Sequence, residues 1–170
     1  MEGKGIVAAI DEEKENKQDI SSKELSNEEK AKPLEKAIRI YLGNIELYYG
    51  IVSQDLTRIR NFKRHKGERV PDFLVFEHAV IEAKNWDNTY VISQTNVKEA
   101  VLDRFAKYAE DLKRILIIAN PNWGEGVKEY LIKNRVQIIE LGFVVTSDNW
   151  VDACERIETE LDEMLFQETL

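Results

Sequence analysis

The run RILIIAN, Arg114 to Asn120, constrains the fold more than any other stretch of the chain, because it is continuously apolar where a one-sided strand would alternate. Successive side chains of a strand project to opposite faces, so an uninterrupted apolar strand needs cover on both. A sheet with helices on each side meets that need. The surrounding pattern agrees. Leu34, Ala37, Ile38, Tyr41 and Leu42 recur at helical spacing after Pro33, which predicts a helix that starts at the proline and ends near Gly43. The β-formers that follow predict a strand over Leu56 to Phe62. Asp72 to Phe76 and Val80 to Lys84 read as a hairpin closed by Glu77, His78 and Ala79.

Beyond the hairpin, Val97, Val101, Leu102, Phe105, Tyr108 and Leu112 mark a helix from about Thr95 to Leu112. A helix over Gly126 to Asn134, a strand at VQIIEL and an amphipathic helix from Trp150 to Phe166 complete the pattern. The order is helix, three-strand meander, helix, strand, helix, strand, helix. It predicts an α/β fold, a mixed β-sheet with an antiparallel meander flanked by helices on both faces.

Residues 1–31 have no sustained apolar period and read as a charged N-terminal arm, leaving 32–170 as the folded domain. No apolar run is long enough to cross a bilayer, and the N-terminus lacks the pattern of a secretory signal, so an intracellular, membrane-free location is expected. Cys154 is the only cysteine, which excludes an intrachain disulfide and a thiolate zinc site. A net charge of −8 argues against a protein that coats nucleic acid, while leaving room for a local basic groove. Arg58, Arg60, Lys63, Arg64, Lys66 and Arg69, interrupted by the single acid Glu68, are the candidates for such a groove.

The hairpin raises the functional question, since Asp72, Glu82 and Lys84 stand inside two otherwise apolar strands. Buried charges need partners or a task. Glu82 and Lys84 share one face, and a three-residue turn at 77–79 places Asp72 opposite Lys84 and diagonal to Glu82. In that register Leu74, Phe76 and Val80 share their face, and Phe73, Val75, Ile81 and Ala83 fill the other. Two carboxylates beside an ammonium suit Mg²⁺ or Mn²⁺ and a phosphodiester under attack by water.

Pro71-Asp72, nine further residues, then Glu82-Ala83-Lys84 resembles the signature of the PD-(D/E)XK, or restriction-endonuclease-like, nuclease superfamily. The resemblance covers about Leu34 to Asn120 and implies a restriction-endonuclease-like core. It implies that Asp72 and Glu82 bind the metal, that the carbonyl of Ala83 assists, and that Lys84 is the catalytic lysine. A glutamate from the first core helix would join them; Glu35 is the candidate and Glu46 its competitor. Some members carry a Gln or Lys in the helix after the lysine strand, and Gln94 and Lys98 lie near the start of that helix here. The activity implied is Mg²⁺-dependent endonucleolytic cleavage of nucleic acid, DNA in particular and branched or junction structures among it, by an enzyme that is often a homodimer.

Smaller features are read alongside. His65 and His78 are expected in loops, Trp123 and Trp150 at the core edge, and Asn85, Trp86 and Tyr90 where they could contact or stack on nucleotides. Two functions stand against each other: a metal-dependent nuclease, and a catalytically inactive nucleic-acid- or protein-binding module on the same fold. The complete set of Asp72, Glu82 and Lys84 favours the enzyme, because an inactive descendant is expected to lose one of them.

Overall fold

The structure is a computed structural model that describes residues 25–58 and 69–166. In the unit Met1–Lys30, only residues 25–30 are described. There Ser26 and Glu29 form a reciprocal capping box. The Glu29 N–H donates to Ser26 Oγ at 3.2 Å, and the Ser26 N–H donates to Glu29 Oε2 at 2.9 Å. This cap starts helix α1, Asn27–Tyr49, six residues before the proline at which a start was expected. Pro33 lies inside the helix and forfeits one backbone bond.

The unit Ala31–Leu170 contains the sheet. Ile45 continues the apolar stripe of Leu34, Ile38 and Leu42, which carries α1 through Gly43 to Tyr49. The helix stops at Gly50, whose φ of 66° is the left-handed geometry that glycine tolerates, with its N–H donating to the Glu46 carbonyl at 3.0 Å. Both expected ends of this helix are therefore corrected. A buried stripe outweighs local helix breakers.

Five strands follow: β1 Ser53–Asp55, β2 Phe73–Val75, β3 Ala79–Lys84, β4 Lys113–Ile118 and β5 Val136–Glu140. They form one mixed sheet in the order β1-β2-β3-β4-β5, antiparallel from β1 to β3 and parallel from β3 to β5. The first strand precedes its expected place at Leu56 to Phe62. Leu56 makes one last rung, N–H to the Asp72 carbonyl at 2.9 Å, and residues 56–58 turn helical. Residues 59–62 lie outside the described residues.

Helix α2 spans 94–105. It begins as an α-helix at Gln94–Val97, widens to a π-helical turn at Lys98–Leu102 and tightens again at Asp103–Phe105. The physical reason is in the spacing. Val97, Val101 and Phe105 are all buried at intervals of four residues, and in a regular α-helix such a row would drift by about 40° per turn. The wider turn absorbs the drift. The helix ends seven residues before the expected Leu112, although Tyr108 and Leu112 still pack on the core from the turns that follow. Helices α3, Val127–Lys133, and α4, Trp150–Phe166, complete the order expected from sequence.

The sheet is buried on both faces, as RILIIAN required. Ile115 and Ile117 of β4 join Phe73, Val75, Ile81 and Ala83 in a cluster with α1 and α4, while Leu116 and Ile118 join Val80 in a cluster with α2 and α3. The expected division of the hairpin between its two faces is borne out, except that Phe76 is exposed. Ile117→Ala should lower unfolding free energy by about 2–5 kcal/mol in urea titration. Val151→Ala, at an exposed helix position, should change it by less than about 0.5 kcal/mol.

Candidate active site

The register of the β2–β3 hairpin decides what its charges meet. Phe73 pairs with Ile81 and Val75 with Ala79, two residues away from the expected alignment. The turn accordingly spans Phe76 to His78, closed by the His78 N–H on the Val75 carbonyl at 3.1 Å, with Glu77 left-handed at φ 64°. A shift of two preserves the faces, since side chains alternate with a period of two. Asp72 therefore stays at the same end as Glu82, but it is Glu82, not Lys84, that its neighbourhood addresses.

Asp72 stands just ahead of β2, where the ladder becomes irregular. Its N–H donates to the Ile81 carbonyl at 3.1 Å, and its Oδ2 accepts the Ala83 N–H at 2.9 Å. A carboxylate thus takes the place of a backbone acceptor in the sheet. Because the N–H and carbonyl of one strand residue point to the same side, the Ala83 carbonyl also faces the edge at which β2 gives way to Asp72.

Glu82 is fully buried on the α2 side of the sheet. Its Oε1 lies 2.7 Å from Lys84 Nζ and 3.5 Å from Arg104 Nη1. Neither carboxylate oxygen has a hydrogen-bond partner among the described residues, and Oε1 meets its two cations as ion pairs. Burial, and then the charge of Asp72, push the Glu82 carboxyl up to about 7, against the opposing pull of Lys84 and Arg104. Two carboxylates, one ammonium and one guanidinium are consequently gathered at the C-terminal end of β3. That is the strand at which the sheet changes from antiparallel to parallel.

Arg104 escaped the sequence reading. The signal was present, since position 104 falls three residues after Val101 and seven after Val97, on the apolar stripe of its helix, where a cation needs a buried anion. Arg104 Nη1 also approaches the Val70 carbonyl at 3.4 Å. Gln94 and Lys98 are exposed, and Lys98 pairs loosely with Asp103 at 4.0 Å.

Glu35 has a different setting. It accepts from Arg39 at 3.4 Å, and Arg39 also binds Asp55, which Arg58 approaches at 3.5 Å. Burial raises the Asp55 carboxyl, but hydrogen bonds from Thr57 and Arg39 outweigh it and hold the group below the usual range. Glu46 is exposed. Among the described residues no three His, Cys, Asp or Glu side chains form a metal-holding group, so neither glutamate of α1 is gathered with Asp72 and Glu82 into a three-carboxylate centre.

Of the basic stretch, Arg60, Lys63, Arg64 and Lys66, together with His65, lie outside the described residues. Arg58 is largely exposed, and Arg69, half exposed, pairs with Asp103 at 3.0 Å. His78 is exposed at the turn. Trp123 and Trp150 pack at the core edge as expected. The Asn85 amide exchanges two bonds with the Val145 backbone, at 2.7 and 2.8 Å, and so anchors the exit of β3.

Comparison of the chain with protein-family models, curated proteins and solved structures returns no match. The site is thus read from its own chemistry.

That chemistry has a thermodynamic signature. Glu82 titrates at about 7 in the fold against an ordinary 4.5, so it stabilises the fold below about pH 4.5 and loses that contribution as pH rises through 7. Glu82→Gln, uncharged throughout, should be more stable than wild type near pH 8 by about 3 kcal/mol and equal to it near pH 4, by urea titration in EDTA. A difference that does not vary with pH would contradict this reading of the buried carboxyl.

Proposed function

We propose that the chain is a metal-dependent nuclease with a restriction-endonuclease-like core, cleaving phosphodiester bonds at Asp72, Glu82 and Lys84. The observation that carries the reading is the buried carboxylate of Glu82, beside Lys84 and under the charge of Asp72, whose oxygens have no hydrogen-bond partner among the described residues. A carboxylate oxygen held away from water with no donor is costly unless a cation completes it. The order of elements, with a helix ahead of a three-strand meander and a helix before the next parallel strand, supports the same core.

The donors present fit a divalent cation that prefers oxygen. Asp72 and Glu82 would hold it, with the Ala83 carbonyl on the same edge. Bound there, Mg²⁺ or Mn²⁺ would supply charge neutralisation at the phosphodiester and acidify a water. The remaining steps belong to the chain. Lys84 Nζ, tied to Glu82 Oε1, is placed to donate to the attacking water or to a phosphate oxygen, and so stabilises charge that grows in the transition state. Arg104 holds Glu82 from the helix side and fixes the orientation of its carboxylate. The Ala83 N–H does the same for Asp72.

Nucleic acid is the proposed substrate, with DNA preferred as the working case. Arg58 and Arg69, which bracket the undescribed part of the basic stretch, are the described residues that would contact its backbone. No described helix is long and apolar enough to cross a membrane.

Lys84→Ala should reduce Mg²⁺-dependent cleavage by at least about a hundredfold while circular dichroism stays unchanged. Single-stranded, duplex, flap and four-way-junction substrates with Mg²⁺, Mn²⁺ or EDTA are the appropriate panel. Equal cleavage by wild type and Lys84→Ala would assign the activity to a contaminant and remove the proposal.

A further inference from the structure

A cleft of about 320 Å³ opens beside this site, lined by Arg69, Trp86, Tyr90, Asn96, Glu99 and Arg104. Arg104 belongs to both places, forming part of the cleft wall while its Nη1 lies 3.5 Å from Glu82. Lys84 Nζ in turn lies 5.7 Å from the centroid of the Trp86 ring. An occupant of the cleft would therefore sit one side chain away from the buried carboxylate and the lysine.

The size of the cleft limits the occupant. Ligand clefts run from roughly 300 to 1,000 Å³, which puts this one at the small end, suited to a single planar group with its immediate attachments. A base within a duplex is covered on both faces by its neighbours and cannot enter. An unpaired base can.

The walls match such a group. Trp86 and Tyr90 meet edge to face, with centroids 5.8 Å apart and planes at 62°, and Tyr90 is 42% exposed. Trp86 is half-buried, backed by the core, while Tyr90 stays open, and a ring fixed in this way beside an open one and two cations is a stacking surface for bases, whatever their identity. Arg69 and Arg104, paired with Asp103 and Glu82, are the cations on the cleft wall that an attached phosphate would approach. Asn96 Oδ1 accepts from Ser93 N–H at 2.9 Å and Ser93 Oγ at 2.8 Å, which fixes the amide and leaves its NH₂ as the end that can donate to a base. Glu99 adds an acceptor.

The segment that carries the two rings is held at both ends. The Asn120 N–H donates to the Trp86 carbonyl at 3.0 Å, the Ile92 N–H to the Asn122 carbonyl at 2.8 Å, and the Gly124 N–H to the Ile92 carbonyl at 2.9 Å. Gly124 is required for the last contact, since a Cβ there would fall 2.6 Å from the Ile92 oxygen. A wall anchored in this way needs little ordering when a ligand arrives.

We infer that this cleft receives one unpaired nucleotide, its base stacked on Trp86 and Tyr90 and its phosphate near Arg69 and Arg104, so that the enzyme selects single-stranded or locally unpaired nucleic acid. The inference deepens the nuclease reading and rests on it for its place in the reaction, but binding tests it without any cleavage.

The test is fluorescence anisotropy in EDTA with labelled oligothymidylate, labelled oligouridylate and a blunt duplex of the same length. Wild type binds a single strand at least about tenfold more tightly than the duplex, and Trp86→Ala and Tyr90→Ala each weaken single-strand binding about tenfold with duplex binding unchanged. Trp86→Phe, which keeps a stacking face, retains most of the affinity and guards against loss of folding in Trp86→Ala. Tight binding of either oligonucleotide supports the inference, and the pair distinguishes DNA from RNA. Single-strand binding that is no tighter than duplex binding, or that survives both alanine substitutions, overturns it, as does a parallel loss on duplex. Cleavage that depends on Lys84 with a cleft indifferent to Trp86 leaves the nuclease and removes this inference. Binding that depends on Trp86 without cleavage does the reverse.

Discussion

Glu82 is a fully enclosed carboxylate, and the end of the sheet around it is organised to tolerate that burial. One of its oxygens is ion-paired with Lys84 and Arg104, and neither has a hydrogen-bond partner among the described residues. An isolated ionised carboxylate inside a protein costs several kcal/mol even after relaxation. The two cations reduce this cost but do not cancel it, because Asp72 adds a second negative charge close by and the Glu82 carboxyl still rises to about 7. A fold that only needed stability would be better served by an apolar side chain at that position. The cation site proposed above would give that burial a purpose.

The scaffold explains why the groups converge. Asp72 is fixed by substituting for a ladder acceptor at Ala83, Lys84 by its place two residues beyond Glu82 on the same strand, and Arg104 by a helix whose π-helical turn keeps Val97, Val101 and Phe105 on the core. Each anchor belongs to a packed element. Asn85 extends the same principle beyond the strand, tying its exit to Val145. The aromatic cleft then begins at Trp86, immediately after the anchored residue, so that the charged site and the cleft are positioned by one continuous segment.

Much of this was legible in the residues themselves. The apolar strand at Arg114 to Asn120 required two covered faces, and the alternation in the hairpin assigned Phe73, Val75, Ile81 and Ala83 to one of them because parity survives a register shift of two. What failed was local punctuation. Pro33 and Gly43 looked like helix ends, yet α1 passes through both because its buried stripe continues to Ile45. The first strand precedes its expected place because Leu56, a β-former by neighbourhood, makes one strand bond and the chain then turns helical. Asp72 acting as a ladder acceptor depends on an irregularity that no periodicity encodes. Arg104 was legible in principle, as a cation on an apolar helix face, but its anion comes from a distant strand and is recognised only when the two are brought together.

If Asp72 and Glu82 jointly seat a divalent cation, calorimetric titration of Mn²⁺ into the metal-free protein detects it without reference to cleavage. At about pH 6.5, where a carboxyl that titrates near 7 is largely protonated, wild type should bind Mn²⁺ with release of a proton, seen as a dependence of the heat on buffer ionisation, and Asp72→Asn should abolish the site. Equal Mn²⁺ binding by wild type and Asp72→Asn, or no binding by wild type, would contradict it.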